Sequence, residues 1–162
     1  MSKAHLNSIQ KIQKQCETIR NAIVTGDTFS PDVSAKSSYW QLDHLLQVCL
    51  SISRVMDFPK DPLSTRIKSP YVRAFVLITT YIPRGGGKAP DIVLPKTDKN
   101  QADLLEMLDQ WEQKLPKLAQ LDPDAGFDHP MFGWFRRDST LRFIRIHTKH
   151  HLKIVHDILK KN

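Results

Sequence analysis

Residues 139–160 carry two three-four spacings at once. Ile144, His147, His151, Ile154 and Ile158 recur along one side, while Arg142, Arg145, Lys149, Lys153, His156 and Lys160 recur along the opposite side. Such a pattern defines an α-helix with one buried stripe and one solvated stripe. It commits the chain to placing two imidazoles among apolar neighbours. It also demands partners, because a single amphipathic helix cannot hide its apolar face alone.

The rest of the sequence supplies helical partners. Over 3–25, Leu6, Ile9, Ile12, Cys16, Ile19 and Ile23 form a stripe opposite Lys11, Lys14 and Glu17, and Gly26 is a natural stop. Over 37–56 the stripe is Leu42, Leu45, Cys49, Ile52 and Met56, with Trp40, His44, Val48 and Val55 beside it. So broad an apolar surface predicts a central helix, and Ser38 with Gln41 resembles a capping box at its start. A short helix is expected over 70–81, beginning at Pro70. Another is expected over 99–118, with a seam of Leu104, Leu108, Trp111, Leu115 and Leu118 and with Pro116 near its end. Asp138 is the expected N-cap of the last helix. No segment shows strand alternation, so the fold class is all-α: four long helices, one additional short helix and a single domain over 1–162. Two loops, 82–98 and 122–137, are longer than such a bundle requires and are candidates for shaping a site.

Composition narrows the class. With 40% apolar and 25% charged residues the chain reads as a soluble globular protein, and no apolar run is long enough to cross a bilayer. The N-terminus shows no secretory pattern, so the expectation is a cytoplasmic protein with no membrane association. Cys16 and Cys49 both sit at apolar helical positions and read as buried, inert thiols. The net charge of +7 could draw nucleic acid, anionic lipid or an acidic substrate, or serve solubility alone. The basic face of the last helix has no interleaved aromatic and no nucleic-acid motif, which makes nucleic-acid binding the weakest reading. The apolar character of the third and fourth helices makes a homodimer an expectation.

The seven histidines separate by position. His5 and His156 are expected at the surface. His147 and His151 lie one turn apart on one face, a spacing that lets two imidazoles converge on one cation. The intervening residues are Thr148, Lys149 and His150, with no glutamate to act as a protease base, which argues against metalloprotease chemistry. The competing reading is a pair of core histidines, each needing a hydrogen-bond partner at a cost of ~1–3 kcal/mol if unpaired. His44, mid-helix beside apolar residues, is the natural third ligand if its helix packs on the last one. Three protein ligands leave coordination positions free, the arrangement of catalytic rather than structural sites. Nitrogen-only ligation suits Zn²⁺ or Ni²⁺, and also Fe²⁺. Asp43 adjoins His44 in sequence but projects about 100° away from it, so it is a poor candidate for a base. Trp40 and His150 flank the expected site, and His129 is a candidate fourth ligand or acid, or else a residue that fixes a turn. Arg84-Gly85-Gly86-Gly87-Lys88 lacks the preceding strand and the full spacing of a phosphate-binding loop. Arg84 and Lys88 are nevertheless candidates for attracting an anionic substrate group.

These motifs together resemble the DinB-like superfamily. Trp40 to His44 resembles its second-helix signature, and Ile82-Pro83-Arg84-Gly85-Gly86-Gly87-Lys88-Ala89-Pro90 its basic glycine-rich loop. His129-Pro130-Met131-Phe132-Gly133 resembles its turn before the last helix, and His147-Thr148-Lys149-His150-His151-Leu152 its closing motif. The resemblance spans nearly the whole chain and points to a branch of unknown function. It implies a four-helix bundle with a metal triad on His44, His147 and His151. It also implies kinship with metal-dependent thiol S-transferases that use low-molecular-weight thiols. The expected activity is transfer of a small thiol to an electrophile, the ion lowering the pKa of a thiol or water in its open position. Hydrolysis of a small substrate is the second reading, and a non-catalytic protein whose bundle the ion staples is the third.

Overall fold

A computed structural model describes residues 3–56, 69–85 and 89–161, with side chains from Asn7 onward. Lys88, Gly86 and Gly87 of the glycine-rich loop lie outside the described residues, as do the side chains of His5 and Leu6. Among the described residues the elements are α1 (Lys3–Thr25), α2 (Ser38–Val55), α3 (Pro70–Thr79), a 3₁₀ turn (Asp91–Val93), α4 (Gln101–Leu118), β1 (Gly126–His129), β2 (Gly133–Arg136) and α5 (Arg137–Lys160). No helix is long and apolar enough to cross a membrane among these residues.

α1 and α2 each pack against both α4 and α5, so the four long helices close around one core. The stripes read from the sequence are the ones that fill it. Ile12, Cys16, Ile19 and Ile23 from α1 meet Leu42, Leu45, Cys49, Ile52 and Met56 from α2. Leu104, Leu108, Trp111, Leu115 and Leu118 of α4 are all buried, so its apolar seam is used up inside the molecule. α3 differs. It packs on α5, and Tyr71 and Ile78 stand 88% and 76% exposed, leaving much of its apolar surface facing outward.

Local chemistry explains the helix ends and corrects several expected ones. Gly26 closes α1 with φ of 101°, which glycine adopts without steric cost. The N-cap of α2 is Ser37, whose hydroxyl accepts from the Trp40 N–H. Ser38 and Gln41 do not form a capping box: the Ser38 hydroxyl donates to Asp27 and accepts from the Thr28 N–H, while Gln41 turns into the bundle. α4 starts later than expected, behind a true capping box between Asn100 and Asp103. α5 starts earlier, behind Arg136, so Asp138 is not its cap but a first-turn anion complementing the helix dipole.

The larger correction is a β-hairpin inside the segment expected to be loop. β1 and β2 pair antiparallel, with Phe127 opposite Phe135 and His129 opposite Gly133. Four-residue strands are too short to display alternation in the sequence, yet Phe127 and Phe135 both reach the core. The turn closes on Gly133 at φ of 67°, and Gly126 is required by space: a Cβ there would lie 1.8 Å from the Phe135 carbonyl oxygen. Arg73 of α3 ties the hairpin down, donating to the carbonyls of Phe132 and Trp134 and lying 4.4 Å over the Phe135 ring.

Candidate metal centre

The contact between α2 and α5 brings His44 of α2 against His147 and His151 of α5. Ring centroids are 5.4 Å apart for His44–His147, 4.8 Å for His44–His151 and 4.5 Å for His147–His151. One nitrogen from each ring lies within 4.8 Å of the others, and this is the group of potential metal ligands found among the described residues. Three imidazole nitrogens grouped in this way could hold one divalent ion.

Two of the rings are held by their outer nitrogens. His44 Nδ1 lies 2.7 Å from the Val93 carbonyl oxygen, which can only accept, so Nδ1 carries the proton and Nε2 the free lone pair. His151 Nδ1 lies 2.7 Å from Gln41 Oε1. The Gln41 amide nitrogen donates to the Ser34 hydroxyl, and with Oε1 facing the ring His151 Nδ1 is the donor as well. Oriented rings with their basic nitrogen free are what metal-ligating histidines require of their surroundings. His147 is different: its Nδ1 is buried without a hydrogen-bond partner. A buried imidazole nitrogen without a hydrogen-bond partner keeps its lone pair or proton unsatisfied, and a cation taken up in the pocket could use it. The donor set therefore fits a divalent ion of the Zn²⁺ or Ni²⁺ type.

Burial sets the protonation. Desolvation lowers the pKa of His44, and lowers those of His147 and His151 far more, with the neighbouring imidazoles adding to the effect. All three rings are neutral at physiological pH, the form that binds metal.

The flanking residues fall as follows. Trp40 stacks on His44 at 5.5 Å, one helical turn before it, with the Lys36 ammonium 5.5 Å from the indole. His150 packs edge-on against His151 at 4.9 Å and is hydrogen-bonded to the backbone of Ile82. His129 does not join the ligand group. Its Nδ1 accepts from the Met131 and Phe132 N–H groups and its ring stacks on Phe132, so it fixes the hairpin turn. Phe143 packs against both His129 and His147. Burial pushes the His129 pKa down to about 4. Arg84 forms an ion pair with Asp157 of α5.

Gln41 and the Val93 carbonyl were not foreseen as histidine anchors. Gln41 lies three residues before His44, on the same helical face, a signal obscured by its resemblance to a capping residue. Asp43 is nearly fully buried, with one oxygen accepting from Gln47 and the other unpaired; burial raises its pKa.

Comparison of the chain with family models, with curated proteins and with solved structures found no match.

Proposed function

We propose that this chain is a DinB-like four-helix bundle that holds one divalent metal ion on His44, His147 and His151 and uses it to transfer a small thiol to an electrophile. The observation that carries this reading is the convergence of three imidazoles: His44 and His151, buried and oriented through Nδ1, and His147, half-buried with its Nδ1 enclosed and unpartnered. The order of the ligands, one on the second helix and an i, i+4 pair on the last, matches the motif arrangement of that superfamily.

A divalent ion bound there supplies Lewis acidity that lowers the pKa of a thiol or water within its reach. The protein's own part is to prepare the site. Val93 and Gln41 hold His44 and His151 in the tautomer that leaves Nε2 unprotonated. Apolar surroundings keep all three rings neutral, so no proton competes for the lone pairs near pH 7. Three histidines without a fourth His, Cys, Asp or Glu ligand among the described residues favour an accessible coordination position over a closed staple. The thiol is then a substrate, because the chain's own Cys16 and Cys49 are buried, with burial pushing both pKa values up to about 12.

The test is consumption of a low-molecular-weight thiol by an activated electrophile, followed with the parent protein after loading with Zn²⁺ or Ni²⁺. Turnover that disappears on chelation and in His151→Ala supports the transferase reading. Metal uptake without thiol transfer, but with metal-dependent hydrolysis of activated esters, would move the assignment to a hydrolase.

A further inference from the structure

α5 presents a second concentration of chemistry on the side opposite its histidines. There, α1 and α5 border a cleft of about 290 Å³ lined by Lys11, Lys14 and Gln15 from α1, by Arg145, Ile146 and Lys149 from α5, and by Thr80 at the end of α3. Four cationic side chains face this concavity and no carboxylate lines it. Elsewhere the chain pairs many of its cations: Arg20 with Asp109 and Glu112, Arg84 and Lys153 with Asp157, Arg137 with Asp138. Among the described residues, none of the four cleft cations has such a partner.

We propose that this cleft binds a small multivalent phosphate, of the pyrophosphate or triphosphate class. Four like charges around one hollow repel one another and create a positive potential that a compact polyanion relieves better than dispersed monovalent ions. The arrangement is held in place before any ligand arrives, because Gln15 Nε2 donates to the Arg145 carbonyl oxygen at 2.9 Å and so joins the two helices that carry the cations. Arg145 supplies planar, bidentate geometry, and the three lysines supply point charges around it. A concave site of this size also favours a free anion over a nucleic-acid duplex or a membrane surface.

Binding is measured by calorimetric titration of the parent protein with inorganic triphosphate at about 0.15 M ionic strength. Two double variants of equal net charge are compared, Lys11→Ala/Lys149→Ala in the cleft and Lys96→Ala/Lys160→Ala away from it. All four lysines are exposed, and both variants retain the three histidines, so binding through a metal would survive in each. The expected result is saturable one-to-one binding that weakens by about tenfold or more in the cleft variant and by less than about twofold in the control. Absence of saturable binding, or equal weakening in both variants, would overturn the proposal. So would lysine-dependent binding of duplex DNA or anionic vesicles that triphosphate fails to displace.

Discussion

The candidate metal centre depends on atoms outside the three imidazoles. His151 can offer Nε2 only while Gln41 Oε1 holds the proton on Nδ1, and His44 depends in the same way on the Val93 carbonyl. Gln41→Leu removes the acceptor while keeping the volume, and is expected to weaken Zn²⁺ or Ni²⁺ binding by about 10–100-fold, read by competition with a chromogenic chelator. Gln41→Glu, which keeps an acceptor, should largely restore it. Unchanged affinity in Gln41→Leu would show that the anchor is dispensable. The convergence of the three histidines was legible in the sequence, because helical periodicity fixes the direction of each side chain from its spacing. Their anchors were not. Gln41 carries no mark that separates a buried acceptor from a capping residue, and a backbone carbonyl such as that of Val93 has no sequence signature at all.

Among the elements, the long helices could be read because each repeats its apolar spacing over several turns. The hairpin could not, since two four-residue strands offer too few positions for a period of two to stand out. Its turn was visible only as a cluster of glycine, proline and aspartate. In the structure it is a built element: Phe127 and Phe135 enter the core, Arg73 clamps it to α3, and His129 fixes its turn. The position that most constrains it is Gly126, where an added Cβ meets backbone rather than a movable side chain. Gly126→Ala is expected to destabilise the protein by about 1–3 kcal/mol in urea unfolding. A change within a few tenths of a kcal/mol would mean that the strands can separate there without cost. The helix starts show the same limit on reading, since neighbouring Ser37 and Ser38 are equivalent in sequence and only the fold decides which one caps α2.

For the whole molecule, the buried histidines make stability depend on pH. His44, His129, His147, His150 and His151 all have pKa values lowered chiefly by burial. Between the unfolded value of about 6.5 and each lower folded value, the unfolded chain binds more protons, so stability falls as the pH falls. Asp43, raised by burial, works in the opposite direction, but it is one group against five. The metal-free protein should therefore hold its full stability between about pH 7 and the ordinary thiol value of 9.0 and lose it progressively below about 6.5, with the His129 contribution extending to about pH 4. Urea midpoints across this range check the sign, and a midpoint that rose between pH 7 and 5 would contradict the neutral-core assignment. Metal should leave over the same range, since protons and the ion compete for the same lone pairs. The exposed apolar face of α3 belongs to this scale too: periodicity predicted an apolar helix there, but which helices remain outside the core is decided by packing that a single sequence does not display. The central claim is one divalent ion per chain on His44, His147 and His151. Its most direct test is elemental analysis of protein purified without a histidine tag, compared with His147→Ala and His151→Ala. Near-stoichiometric metal in the parent, lost in both variants while they remain helical, is the predicted result. A parent protein that holds no metal even after incubation with Zn²⁺ or Ni²⁺ would contradict it.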